Sequence, residues 1–132
     1  MNRGADDGVK VGQAVVSQGY LVGRVESVEK YSSQVLLIAN ANSLIPVTLQ
    51  VSRGTGLLQG GLTGLIVHSI SADTQIQNDE NVVTSDLGEE VPAAILVGRV
   101  LKIISSESEI FKKVAVSSPV EFNKLEIVFI IR

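Results

Sequence analysis

The chain has 132 residues, of which 45% are hydrophobic and only 4% aromatic, with a net charge of −3 and no cysteine. That length fits one ordinary domain or two very small ones, and the apolar content supplies a core and is too high for disorder. Disulfides, thiolate metal sites and cysteine nucleophiles are excluded. With no Trp and no basic run longer than Lys112-Lys113, neither a stacking platform nor a phosphate-backbone footprint is present, so no nucleic-acid partner is expected.

In chain order, Met1 to Gly8 is polar and turn-rich and shows neither strand nor helix pattern. We read residues 1–10 as a junction and expect the sequence to begin partway through a longer protein. The first apolar run, Val15-Val16-Ser17, is followed by the turn Ser17-Gln18-Gly19 and then by Leu21 to Val25. Val35 to Ile38 is a continuous apolar run closed by the turn cluster Asn40 to Ser43. Val47, Leu49 and Val51 alternate with Thr48, Gln50 and Ser52, the period-two pattern of a half-buried strand, with Pro46 at its first position. Turns at Arg53-Gly54 and Gly60-Gly61 bracket the next segment, and Leu65 to Val67 is a further short apolar run. Asn78 to Asn81 is another turn, before Val82-Val83-Thr84; Leu96 to Val100 and Val114 to Val116 follow, on either side of a polar stretch from Ser105 to Glu109. Ser118-Pro119-Val120-Glu121 predicts one helical turn, with Ser as N-cap, Pro as first helical residue and Glu as capping partner. Leu125 to Ile131 is a closing strand; its longest apolar stretch, Ile127 to Ile131, is five residues, far from the roughly 20 needed to cross a bilayer as a helix. Turn signals this regular, between Val- and Ile-rich segments, predict an all-β barrel or sandwich.

Leu-Val-Gly-Arg-Val occurs twice, as Leu21 to Val25 and as Leu96 to Val100, and each copy is preceded by a related stretch (Val15-Val16-Ser17; Val82-Val83-Thr84) and followed by another apolar run. We therefore expect one β unit used twice: two small barrels related by an internal pseudo-repeat, at residues 11–75 and 76–132, with strands open to exchange between them and a longer loop at Ser85 to Ala93 in the second. Gly23 and Gly98 interrupt matching strands, which predicts a bend at each; the alternative is that each admits a neighbouring backbone. Arg24 and Arg99, also matched, are read either as interaction anchors or as solvent-facing strand residues.

Chemistry is sparse. His68 is the only histidine; as a general base it would need a nucleophile and an orienting acid in space, and a strand-face histidine bonded to water or a carbonyl is the favoured reading. A Gly-x-Ser-x-Gly elbow is missing. The acidic pairs Asp6-Asp7, Glu89-Glu90 and Glu107/Glu109 fall in turns without a calcium-loop pattern. The glycines from Gly54 to Gly64 lack a phosphate-loop ending and suit tight hairpins. No catalytic residue, cofactor or metal is expected.

Several stretches in order resemble the MreC family of bacterial rod shape-determining proteins: Asn2 to Gly12 its junction; Gly19 to Val25 its "G-x-L-V-G-x-V" element; Ser33 to Val47 its "S-x-V-x-L-I-x-D-x-N-S-x-x-P-V" stretch; Val82 to Gly88 with Pro92 and Ile95 to Val100 its "V-V-T-S-G-L-G…P-x-G-I-x-V-G-x-V" signature; and Pro119 to Glu126 the segment before its last strand. Where the family tends to have Gly, this chain has Asp86, Ala94 and Asn78-Asp79, so a different turn geometry is expected there. The resemblance implies two barrels of chymotrypsin-like character without catalytic residues, outside the membrane in the periplasm. It also implies a missing single-pass anchor and dimerising coiled coil upstream. It implies a scaffold of the elongation complex that self-associates and binds MreB, MreD, RodA and a class B penicillin-binding protein. Two other readings stand beside it: a barrel adaptor of an export-system membrane-fusion protein, and a trypsin-like hydrolase, for which a serine and an acid must lie within reach of His68.

Overall fold

Apolar runs rich in Val and Ile become strands wherever one side can be buried. The computed structural model describes residues 4–61, 64–85, 94–105, 109–120, 122 and 129–131. Among them are β1 (Ala14–Ser17), β2 (Tyr20–Val28), β3 (Ser33–Leu37), β4 (Leu44–Leu49), β5 (Thr55–Gln59), β6 (Leu65–Ser71), β7 (Asn81–Thr84), β8 (Leu96–Ile103), β9 (Phe111–Ser117) and β10 (Phe129–Ile131). The fold is all-β, as the pattern of turns and strands implies. The one helical element among these residues is a 3-10 turn, Ala5–Asp7.

Strands β8, β7, β4, β5, β6 and β9 pair in that order, and β9 pairs back onto β8, so the six close into a barrel. Closure leaves these strands no free edge along the paired stretches. Three of the strands come from residues 11–75 and three from residues 76–132. Inward positions alternate along them: Ile45, Val47 and Leu49 on β4, Val67 and Ile70 on β6, Val114 and Val116 on β9, all buried in one cluster. The other strands form an antiparallel sheet in the order β10-β1-β2-β3. Its own core is Val9, Val15, Val22 and Val25. The two lobes meet where β2 bridges β8 in parallel at Tyr20 and Leu96, and Phe122 packs against both cores.

The repeat holds down to single hydrogen bonds. On β1–β2 the register is Ala14↔Arg24, Val15↔Gly23, Val16↔Leu21; on β7–β8 it is Asn81↔Arg99, Val82↔Gly98, Val83↔Leu96, with the same register shift after the second pair. A second shift follows on both copies, skipping Glu26 in β2 and Leu101 in β8. Just before each first strand, a buried side chain accepts from the backbone three residues back: Gln13 Oε1 from Lys10 N at 2.9 Å, and Glu80 Oε2 from Gln77 N at 2.6 Å. Val25 N donates to Gln13 O and Val100 N to Glu80 O, at 2.9 Å each. Glu80 does more than its counterpart: its Oε1 also accepts from Val51 N, Ser52 N and Ser52 Oγ at 2.9–3.1 Å, tying the β4–β5 turn to the loop before β7.

Gly23 and Gly98 are set by one contact. A Cβ at either would lie 2.2 Å from a carbonyl oxygen of the next strand, Leu36 O or Ser117 O. Each glycine also sits beside a register shift, so a bent strand and a closely approaching backbone occur at the same residue. Gln18 and Gly19, with φ of 52° and 85°, make a tight two-residue hairpin turn. At the residues matching Gly12 and Gly19, this chain has Asp79 and Ala94, with φ of 64° and 66°. Both keep the left-handed backbone of their counterparts in the first copy, at the cost of backbone strain. Asp86 lies outside the described residues.

Three local expectations are corrected. Pro46 is the third residue of β4 and pairs with Leu57. Its carbonyl accepts from Ser85 N at 3.0 Å, so its missing N–H faces the side where β7 has already ended, and no ladder bond is lost. Residues 118–120 are not helical; Ser118 Oγ accepts from Val120 N at 3.2 Å as a local turn, and Glu121 lies outside the described residues. The opening segment, which shows no pattern in sequence, turns at Ala5–Asp7 because Ala5 N and Asp6 N donate to Glu29 O and Lys30 O.

Gly23→Ala and Gly98→Ala should each lower the unfolding free energy by about 1–3 kcal/mol or more, whereas Gly19→Ala, facing open space, should cost only the left-handed strain of about 1–2 kcal/mol. Ala94→Gly should stabilise slightly, by about 0.5 kcal/mol, because relief of that strain exceeds the added unfolded-chain entropy. Urea titrations of the four variants read all of this out. In the same assay Glu80→Ala should cost about 2–4 kcal/mol, since three backbone N–H groups lose a charged acceptor, and Glu80→Gln should fall between it and the wild type.

Candidate interaction surface

Along β8 and β9 the inward residues Val97, Val100, Val114 and Val116 are buried. Beyond the residue skipped at Leu101, burial stops while the sequence stays apolar. Leu101, Ile103 and Ile104 at the end of β8 are 60%, 44% and 41% exposed, and Ile110 and Phe111 opposite them are 80% and 54% exposed. Most exposed large apolar side chains elsewhere are scattered singly, which is ordinary; a group at one hairpin end is not.

Beside this hairpin lies a cleft of about 750 Å³ on the outer face of the barrel, with Gln59, Ile66 and His68 from β5 and β6 and Ile110, Phe111 and Lys113 from the start of β9 among its lining. The cleft lies beside the place where β6 and β9 lose register, between Val67 and Ile70, where Ser69 has a φ of 62°. Pairing resumes at Ile70↔Lys112 and Ser71↔Phe111, and Lys112 Nζ donates to Thr74 O at 2.6 Å, holding the start of β9 against the loop after β6.

His68 has both ring nitrogens engaged: Nδ1 with Ser69 Oγ at 2.8 Å and Nε2 with Gln59 Oε1 at 3.0 Å. A serine is therefore within reach, as a hydrolase needs. The far nitrogen meets a neutral amide, whereas a triad holds its imidazolium there with a carboxylate. With Gln59 Oε1 as acceptor, Nε2 carries the proton and Nδ1 accepts from Ser69 Oγ. That is a satisfied polar cluster at the rim of an apolar cleft, and the bonding partners are side chains, not the water or carbonyl expected from sequence. Among the described residues no three His, Cys, Asp or Glu side chains are grouped to hold a metal.

The matched arginines take equivalent register positions in the two lobes. Arg24, half-buried, pairs with Ala14 and Leu36; Arg99, exposed, pairs with Asn81 and Ser117. Arg99 lies two residues before Leu101, on the strand that carries the apolar end. The apolar end itself is not singled out by a sequence reading. Its signal is Leu101-Lys102-Ile103-Ile104, apolar on both sides of a strand, next to the polar stretch at Ser105 to Glu109. Nothing inside the barrel is left for the outward half of that run to pack on.

The family description "Rod shape-determining protein MreC, barrel core" matches residues 1–132. The cell shape-determining protein MreC of Cereibacter sphaeroides is 36% identical over 101 residues, covering 76% of this chain and 34% of that protein. The chain thus spans about a third of that relative's length. Among solved structures, MreC of Listeria monocytogenes superposes with a TM-score of 0.89 at 24% identity over 98% of this chain and 64% of that one. A structure titled the major periplasmic domain of the cell shape-determining filament MreC gives a TM-score of 0.75 at 24% identity, covering 90% and 75% of the two chains. A complex between Penicillin-Binding Protein (PBP2) and MreC from Helicobacter pylori gives 0.76 at 22% identity, covering 89% and 74%.

A fluorophosphonate probe should leave Ser69 unlabelled under conditions that label trypsin fully, read by intact-protein mass spectrometry; stoichiometric labelling lost in His68→Ala would restore the hydrolase reading.

Proposed function

The chain belongs to the MreC family of rod shape-determining proteins, and from that membership we propose that it is a non-catalytic scaffold of the cell-elongation machinery. It works at the periplasmic face of the inner membrane and binds the ectodomain of a class B penicillin-binding protein. The observation that carries the reading is the exposed apolar end of the β8–β9 hairpin beside a cleft in which His68, Ser69 and Gln59 satisfy one another. Such a surface buries side chains of a partner, and its histidine is held by a neutral amide in place of the carboxylate of a triad. The Helicobacter pylori relative held with a penicillin-binding protein supports the choice of partner, and the filament named for another relative supports self-association. Binding acts by shifting the partner's conformational balance toward the state that the surface fits. The β4–β9 barrel is the partner-facing unit, and the β1–β3 and β10 lobe is the unit next to the junction. Single-pass anchoring upstream, and links to MreB, MreD and RodA, complete the reading through the family; Arg24 and Arg99 serve as interface anchors at equivalent positions of the two lobes.

The ectodomain of the cognate penicillin-binding protein should bind this chain in a calorimetric titration. Ile110→Asp combined with Phe111→Asp should weaken binding at least tenfold, about 1.4 kcal/mol, with the melting temperature unchanged because both residues are exposed. Absence of binding by the wild-type chain at high micromolar concentration would sink the proposal.

A further inference from the structure

The internal repeat shows what covers one strand edge and leaves its twin bare. In the first lobe, the end of β2 is capped by residues 4–9. Ala5 N donates to Glu29 O at 2.7 Å and Asp6 N to Lys30 O at 3.0 Å. Gly4 comes so close that a Cβ would lie 2.3 Å from Glu29 O, and Val9 tucks into the core beside Val28. The matching end of β8 is residues 101–104. It begins from the same geometry: Glu29 N bonds to Ser32 O at 2.7 Å, and Ile104 N bonds to Lys113 O at 3.0 Å. Past Val100, whose N–H and C=O meet Glu80 O and Asp79 N, the side of β8 that faces β7 meets no further strand among the described residues, since β7 pairs only with residues 96–99. Among the described residues no backbone donor reaches Ile104 O. Residues 72–75, which match the capping segment in sequence position, are tied instead to the start of β9 by Lys112, whose Nζ donates to Thr74 O.

Side-chain chemistry changes in step. The covered edge carries Glu26 and Glu29, exposed and charged; the bare edge carries Leu101, Ile103 and Ile104, apolar and exposed. An apolar, unpaired edge is a template for an added strand, which natural proteins normally blunt with charge or cover. Lys102 and Lys113 are exposed beside it, so a segment with acidic flanks is favoured and a basic one repelled.

We propose that residues 101–104 are a docking edge for a short segment of the partner, placed as the turn at residues 4–9 is placed on β2. That segment donates a backbone N–H to Ile104 O, packs apolar side chains on Leu101 and Ile103, and carries acidic residues facing Lys102 and Lys113. The identity of the partner rests on the reading above, the penicillin-binding protein ectodomain; the position and mode of docking rest on the repeat.

The test is a titration of the isotope-labelled 132-residue chain with that ectodomain, followed by amide shifts and hydrogen exchange. The expected result is a large shift at the Ser105 amide, which follows the accepting carbonyl, slowed exchange across 101–105, and a tenfold or greater loss of affinity in Leu101→Asp and in Ile103→Asp. Lys102→Glu should weaken binding about threefold to fivefold, with the difference shrinking at high salt. Circular dichroism melts check that each variant folds, and Val51→Asp, exposed in a turn of the barrel, should bind as wild type. Binding of the ectodomain with shifts confined to the cleft around His68 and Ile110, and unchanged affinity in the Leu101 and Ile103 variants, would overturn the docking edge and leave the scaffold function standing. Loss of self-association alone in those variants would equally overturn it, by assigning the edge to a second copy.

Discussion

Two backbones pass so closely at Gly23 and at Gly98 that no side chain fits between them, and the architecture follows from that approach. At Gly98 the carbonyl of Ser117 occupies the space where a Cβ would stand. β8 can then pair with β7 on one side and β9 on the other while shifting register on both. The shifts coil the strand, and a coiled strand is what lets six strands close with Val- and Ile-sized side chains filling the interior. In the first lobe Gly23 lies under Leu36 O in the same way and organises β1, β2 and β3.

Glu80 shows how one copy of a repeat acquires a task the other lacks. Gln13 and Glu80 occupy the same place and accept the same local bond, but only Glu80 has a neighbouring turn to hold. A carboxylate suits that place because it offers acceptors on both oxygens, where an amide would point its NH₂ at one of the donors. Asp79 and Ala94 keep a left-handed backbone where glycine would be unstrained. The hydrogen bonds Asp79 N to Val100 O and Ala94 N to Thr84 O hold that backbone in place, so the pairing of β7 with β8 outweighs the local preference of the residue.

The surface follows from the same duplication. The two strand ends after the skipped residue are equivalent by the repeat and differ in what lies over them among the described residues: a segment of the chain itself over β2, and none over β8, whose Leu101, Ile103 and Ile104 are exposed. That difference accounts for the change from Glu26 and Glu29 to Leu101 and Ile104. It also places the apolar hairpin end, and the cleft formed where β6 and β9 lose register, on one side of the barrel. His68 sits at the rim of that cleft with Ser69 and Gln59, which hold its ring on both sides.

The duplicated Leu-Val-Gly-Arg-Val with its flanks was enough to determine an all-β chain built from one unit used twice, and the turns at Gln18-Gly19 and Asn40 to Ser43 were legible because each needs residue types that few other conformations favour. Gly23 and Gly98 stood out as special, though a glycine admits both a bend and a close approach and sequence alone does not separate them. Only the tertiary structure decided that β4, β5 and β6 close with β7, β8 and β9, because strand pairing between distant segments depends on which edges are free once the whole sheet is assembled, and no local pattern encodes that. It also decided that Pro46 sits inside a strand, that residues 118–120 are not helical, and that Leu101, Ile103, Ile104, Ile110 and Phe111 face outward. An apolar residue announces that it can be buried; whether anything lies over it is a property of the assembled fold.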